Sequence, residues 1–125
     1  MKLARITGAK VEVVELFALL HDTQRENEYE DPEHGWRAAR FAEKLAGDAF
    51  TISAPDLKLL VQACEGHSDG AIKADITVAT CWDADRLDLG RVGIKPIPGR
   101  LCTDAARSRE MIAWAYDRSI RWRYE

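Results

Sequence analysis

Apolar residues return at intervals of three and four along most of this chain, and no convincing strand pair or hairpin emerges beside them. Ala38, Phe41, Ala42 and Leu45 make one such stripe, and Leu57, Leu60, Val61 and Cys64 make another. Val78, Cys81, Trp82, Asp85 and Leu89 make a third, with a carboxylate on the apolar face. Val11 to His21 is apolar on nearly all sides and reads as a buried helix, although its β-branched start also suits a strand. The stops between segments agree. Asp31-Pro32-Glu33 starts a helix that should reach about Ala46 and end at Gly47. Ser53, with Asp56 three residues on, caps the next. A further helix is expected from about Asp75 to Leu89, and Thr103 is expected to cap a last one running into RSIRWRYE. The expectation is an all-α fold, a compact helical bundle.

A chain of 125 residues is one domain by default, 1–125, and is long enough to bury a single core without staples. With 46% hydrophobic and 31% charged residues it belongs with globular chains rather than disordered ones. A net charge of -3 supplies no bulk basic field, so nucleic acid is not the expected partner. The stretch Val13–Leu20 is too short for a bilayer and the N-terminus lacks a signal-peptide core, so no membrane role and a cytoplasmic location are expected. Cys64, Cys81 and Cys102 form no C-x-x-C pair and read as reduced, buried core residues.

The informative residues are polar groups on or at the ends of apolar stripes. A buried carboxylate costs several kcal/mol unless partnered, so Asp85 needs a partner. His67 continues the Leu57–Cys64 stripe by three. His21 ends an apolar helix with Asp22 beside it, and His34 sits in the first turn of the next. Imidazole and carboxylate are the usual ligands of Zn, Mn, Fe, Co and Ni. Each residue alone suits a structural role, and Asp85 has Arg37, Arg40, Arg86 and Arg91 as alternative partners. Together His21, Asp22, His34, His67 and Asp85 point to a metal. Asp88 is expected to pair with Arg91, EYEDPE to be a solvated loop, and RSIRWRYE to be a helix face of snorkelling arginines. There is no G-x-x-x-x-G-K-[ST] and no G-x-G-x-x-G.

The segments LLHDTQREN, HGWRAA, ACEGHSDG and CWDADRLDLGRVGI, in this order, resemble the HD-domain superfamily of metal-dependent phosphohydrolases, closest to its small bacterial stand-alone members. The resemblance spans about Ile6 to Arg107 and implies an all-α, HD-like bundle. It implies that His21, Asp22 and Asp85 hold a divalent transition metal (Mn, Fe, Co, Ni or Zn). His34 and His67 would hold a second ion or grip substrate phosphate. The expected substrate is a nucleotide or other small phosphate ester. Arg25, just past the HD pair, becomes a candidate phosphate clamp, because its fork matches two oxygens. Glu26 and Asp69 become candidate proton relays. The family motif begins with a further His on an upstream helix, whereas residues 1–20 contain none. Met1–Ile6 then reads as the remnant of a truncated first helix. That loss would uncover Val13, Leu16 and Leu20 and favour a homodimer. It also leaves an alternative function: a catalytically impaired HD-like module that binds metal or nucleotide as a sensor or partner protein.

Overall fold

Left-handed glycines and short polar caps divide the chain into its helices. The computed structural model describes residues 2–21, 33–89 and 93–124, without the side chains of 122–124. The described helices are α1 (Lys2–Thr7), α2 (Val11–Leu20), α3 (His34–Leu45), α4 (Ala54–Gly66), α5 (Ile76–Leu87), α6 (Asp104–Arg107) and α7 (Arg109–Tyr124). No strand occurs among the described residues; one isolated bridge joins Ala46 and Phe50. The all-α expectation holds.

The caps follow the chemistry of their residues. Ser53 Oγ accepts from Asp56 N, and Asp75 Oδ1 accepts from Thr77 N, so each satisfies a helix-start donor. Gly47, at φ 87, turns the chain after α3 where a side chain would be strained. Gly8, at φ 80, does the same between α1 and α2. That turn is pinned to α5: Thr7 and Thr80 share a hydroxyl hydrogen bond of 2.9 Å, and Lys10 N donates to Thr77 Oγ1.

Two apolar clusters hold the helices together. The larger joins α2, α3, α4 and α5 through Val13, Val14, Phe17, Leu20, Ala38, Ala42, Leu60, Cys64, Cys81 and Trp82. Complete burial of a side chain the size of Phe17 contributes about 2–3 kcal/mol. The smaller cluster joins α1, the end of α5, α6 and α7 through Leu3, Leu87, Leu101, Met111 and Ile112. α3 packs chiefly on α4, and α4 lies between α3 and α5 with α2 across it.

Several expectations are corrected. α2 is not buried all round: Glu12, Glu15, Ala18 and Leu19 face outward, with Leu19 71% exposed. Val13 and Leu20 are covered by the chain's own larger cluster, so the open surface expected at these two residues is not there, while Leu16 packs against the cluster and stays partly exposed. α5 ends at Leu87, two residues early, which swings Leu89 out of the stripe and leaves it exposed. Thr103 caps a helix of four residues only. Ser108 then takes extended backbone (ψ 143), and its Oγ accepts from Met111 N at the start of α7. The helix start expected at Asp31-Pro32 lies outside the described residues; α3 is seen from His34.

The fully buried carboxylate of α5 is Asp83, not Asp85. Asp83 accepts from Cys102 N (2.6 Å), Thr103 N (2.8 Å) and Thr103 Oγ1 (2.7 Å). Three donors compensate its desolvation and tie α5 to the segment that opens α6. Asp83→Ala orphans those donors and is expected to cost about 3 kcal/mol in urea unfolding. Asp117→Ala, which removes only an exposed i,i+4 pair with Arg121, is expected to stay within about 0.5 kcal/mol.

Candidate functional site

The ends of α2 and α4, the start of α3 and the last turn of α5 bring three histidines and one aspartate together. His21 follows the last residue of α2 in helical conformation (φ -60, ψ -31), so its ring extends the buried stripe of Val14 and Phe17. It stacks on Phe17 with ring centroids 4.6 Å apart and planes 17° apart. His67 continues α4 in the same way and meets His21 edge to face at 5.1 Å. His34, on the first turn of α3, meets His67 edge to face at 4.5 Å. His34 and His67 are 4% and 5% exposed, whereas the side chains of His21 and Asp85 are 12% and 25% exposed. The group therefore has a closed histidine end and an end that solvent reaches.

The hydrogen bonds settle which ring nitrogens carry protons. His21 Nδ1 lies 2.9 Å from the Phe17 carbonyl oxygen, and His67 Nδ1 lies 2.8 Å from that of Cys64. A carbonyl only accepts, so both Nδ1 atoms are protonated donors. In the neutral ring each Nε2 is then a lone pair. His21 Nε2 faces Asp85 Oδ1 at 3.0 Å. Two acceptors at that distance need a proton between them, on Nε2 as an imidazolium or on the carboxyl, or another cation in its place. His67 Nε2 faces His34 Nε2 at 2.7 Å, where His34 must supply the proton if His67 is neutral. Tying Nδ1 to a backbone carbonyl so that Nε2 points into the site is how proteins orient metal-binding histidines.

Among the described residues, His21 faces Asp85 and His34 faces His67. Among the described residues no three His, Cys, Asp or Glu side chains already converge as a metal-holding set. The donor types and their orientation fit a divalent transition ion at the His21–Asp85 pair, with His67 and His34 behind it.

Each expected site residue has a definite standing. His21, His34, His67 and Asp85 are brought together. Asp22, Arg25 and Glu26 lie outside the described residues. Asp69 stands exposed on the turn after α4, where its N donates to the Gly66 carbonyl oxygen. Arg86 does not pair with Asp85: its Nη1 donates to the Arg100 carbonyl oxygen and its guanidinium lies over the Trp82 ring. Arg40 pairs with Glu43 and Glu65. Asp88 accepts from Ser119 Oγ at 3.1 Å, while Arg91 lies outside the described residues.

Sequence spacing gave Phe17 and Gly35 no role and placed Trp82 only on an apolar stripe, whereas all three pack against the histidine-bearing turns. Gly35 carries a signal that spacing ignores, since glycine in the first turn of a helix is conformationally costly and wants a steric reason.

The cysteines offer no nucleophile. Burial pushes the Cys64 thiol up to about 12 and the Cys102 thiol up to about 11, and raises Cys81 further. Cys102 is half-buried rather than buried, which corrects the expectation for that one thiol. At pH 8 a thiol titrating near 11 is thiolate in about one molecule per thousand. Iodoacetamide on the native chain at that pH is expected to spare Cys64 and Cys81 and to label Cys102 much more slowly than in urea; mass spectrometry of the labelled peptides checks this.

Against protein-family models, curated proteins and solved structures, the chain finds no match.

Proposed function

We propose that this chain is a metal-dependent phosphohydrolase of the HD type, acting on a nucleotide or another small phosphate ester. The observation that carries the reading is His21, whose imidazole stands between the Phe17 carbonyl and the Asp85 carboxylate. Such a ring accepts a cation at Nε2 without any change in its Nδ1 hydrogen bond. When bound, a divalent transition ion supplies a water activated near neutral pH and a Lewis-acid partner for a phosphoryl oxygen.

The chain's residues divide the remaining work. His21 and Asp85 hold the ion from two helices, and Asp22, next to His21 in sequence, is the third ligand by the resemblance. His34 and His67 form the closed wall behind them. By the resemblance they would hold a second ion through Nε2, or grip phosphate oxygens with His67 protonated, since its neutral Nε2 only accepts. Arg25 would fork to two phosphate oxygens from the segment after the HD pair. Glu26 is the proton relay on the same segment. Asp69 is the weaker relay, because it stands exposed at the turn.

A second reading rests on the departure from the resemblance already noted: residues 1–20 contain no histidine where the motif has its first ligand. On that reading the chain binds metal or nucleotide without turnover, as a sensor or a partner protein.

Elemental analysis of tag-free protein after incubation with Mn, Fe, Co, Ni and Zn tests the ion. Near-stoichiometric metal is expected in the wild type. Loss of at least tenfold in affinity is expected in His21→Ala and Asp85→Asn, the order of effect for removing a ligand or its immediate support. Unchanged metal content in Asp85→Asn refutes Asp85 as a ligand. Hydrolysis of p-nitrophenyl phosphate or nucleoside monophosphates by the metal-loaded wild type, absent from both variants, selects the enzyme. Metal without hydrolysis selects the binding module.

A further inference from the structure

The last turn of α4, Ala63 to His67, is held from two sides by contacts that leave it little freedom. On one side lies the first turn of α3. A Cβ placed on Gly35 would stand 2.4 Å from the Cys64 carbonyl oxygen, 3.2 Å from His67 Nδ1 and 3.3 Å from the Glu65 carbonyl oxygen. The first of these is far inside any real contact, and a helix carbonyl cannot step aside as a flexible side chain can. On the other side lies Trp82 of α5. Its indole Nε1 donates to the Ala63 carbonyl oxygen at 3.0 Å. Its ring also covers Gly66 so closely that a Cβ there would lie 2.7 Å from Trp82 Cζ2.

The carbonyl beneath Gly35 is the same one that accepts the His67 Nδ1 proton. A helix end leaves its last carbonyls without intrahelical partners. Here Trp82 takes the carbonyl of Ala63, His67 takes that of Cys64, and Asp69 N takes that of Gly66. Both neighbours therefore bear on the turn whose Cys64 carbonyl holds the His67 Nδ1 proton.

We infer that Gly35 and Trp82 are positioning residues, which grip the last turn of α4 from opposite sides and fix the direction in which His67 presents Nε2 to His34. The grip itself rests on contacts within the chain. Only its consequence for an ion rests on the metal-centre reading proposed above.

The test uses the full chain labelled with 15N at histidine. Long-range proton–nitrogen spectra of the metal-free protein at mildly alkaline pH report which nitrogen of His67 carries the proton. The wild type is expected to show Nδ1–H alone. Gly35→Ala pushes α3 off the carbonyl and is expected to give a mixture of tautomers, with Co(II) affinity lower by about tenfold, as for other outer partners of a ligand. Trp82→Phe keeps a ring over Gly66 but removes the indole N–H, and is expected to move the same signals by less. Gly99→Ala is the control for a generic glycine change, because a Cβ there meets nothing within 4 Å; it is expected to leave both readouts at wild type. If Gly35→Ala does not fold, Trp82→Phe decides. Folded variants that keep the wild-type His67 tautomer overturn the inference. Failure of the wild type to bind Co(II) counts against the metal reading alone, and the tautomer spectra still decide the grip.

Discussion

A histidine held between two acceptors is the interaction around which this molecule is arranged. His21 gives its Nδ1 proton to its own helix and turns Nε2 toward the Asp85 carboxylate. Neither partner is free to move away. Phe17, fully buried, stacks against the ring and sets its plane. Asp85 is fixed because α5 is anchored two residues earlier, where the buried Asp83 takes three hydrogen bonds from Cys102 and Thr103. Residues two apart on a helix point about 200° apart. One acidic side chain of α5 therefore ties the helix to the α6 segment, while the other faces the histidines.

The two apolar clusters have different consequences for the site. The larger one carries His21, His34 and His67 on the ends of helices whose bodies it buries, so the imidazoles are aimed by core packing rather than by loops. Sites on rigid elements hold their geometry better than sites on loops. The smaller cluster contains none of the four residues and meets the site-bearing helices through α5 and, by way of α1, through α2. α7 meets α5 directly at Leu87 and at the Ser119–Asp88 hydrogen bond, beyond the turn that carries Asp85, whereas Phe17 lies against the His21 ring itself.

Helical spacing carried most of the fold, because caps and three-four intervals are local properties that tertiary packing did not override. Ser53, Thr103 and Gly47 act in the structure as their chemistry suggested. What spacing missed was tertiary. Asp83 and Asp85 flank one residue, and the stripe placed Asp85 inward because it assumed a single buried face. α5 is packed by α2 and α4 on one side and by α1 and α7 elsewhere, so both carboxylates find partners. The break at Ser108 was invisible for a related reason: serine is acceptable inside a helix and excellent at its start, and only the neighbours decide. For the site, His21, His34, His67 and Asp85 were legible as inward helix-end residues. Their pairing was not, since it depends on how closely Gly35 lets α3 approach α4.

The most direct measurement is anomalous X-ray scattering from crystals of the chain soaked in Mn(II) or Zn(II), recorded on both sides of the metal edge. The account expects one principal peak at coordination distance, about 2.0–2.2 Å, from both His21 Nε2 and an Asp85 oxygen. A well-occupied metal peak elsewhere on the molecule, with His21 and Asp85 still in direct contact and no density between them, would contradict it.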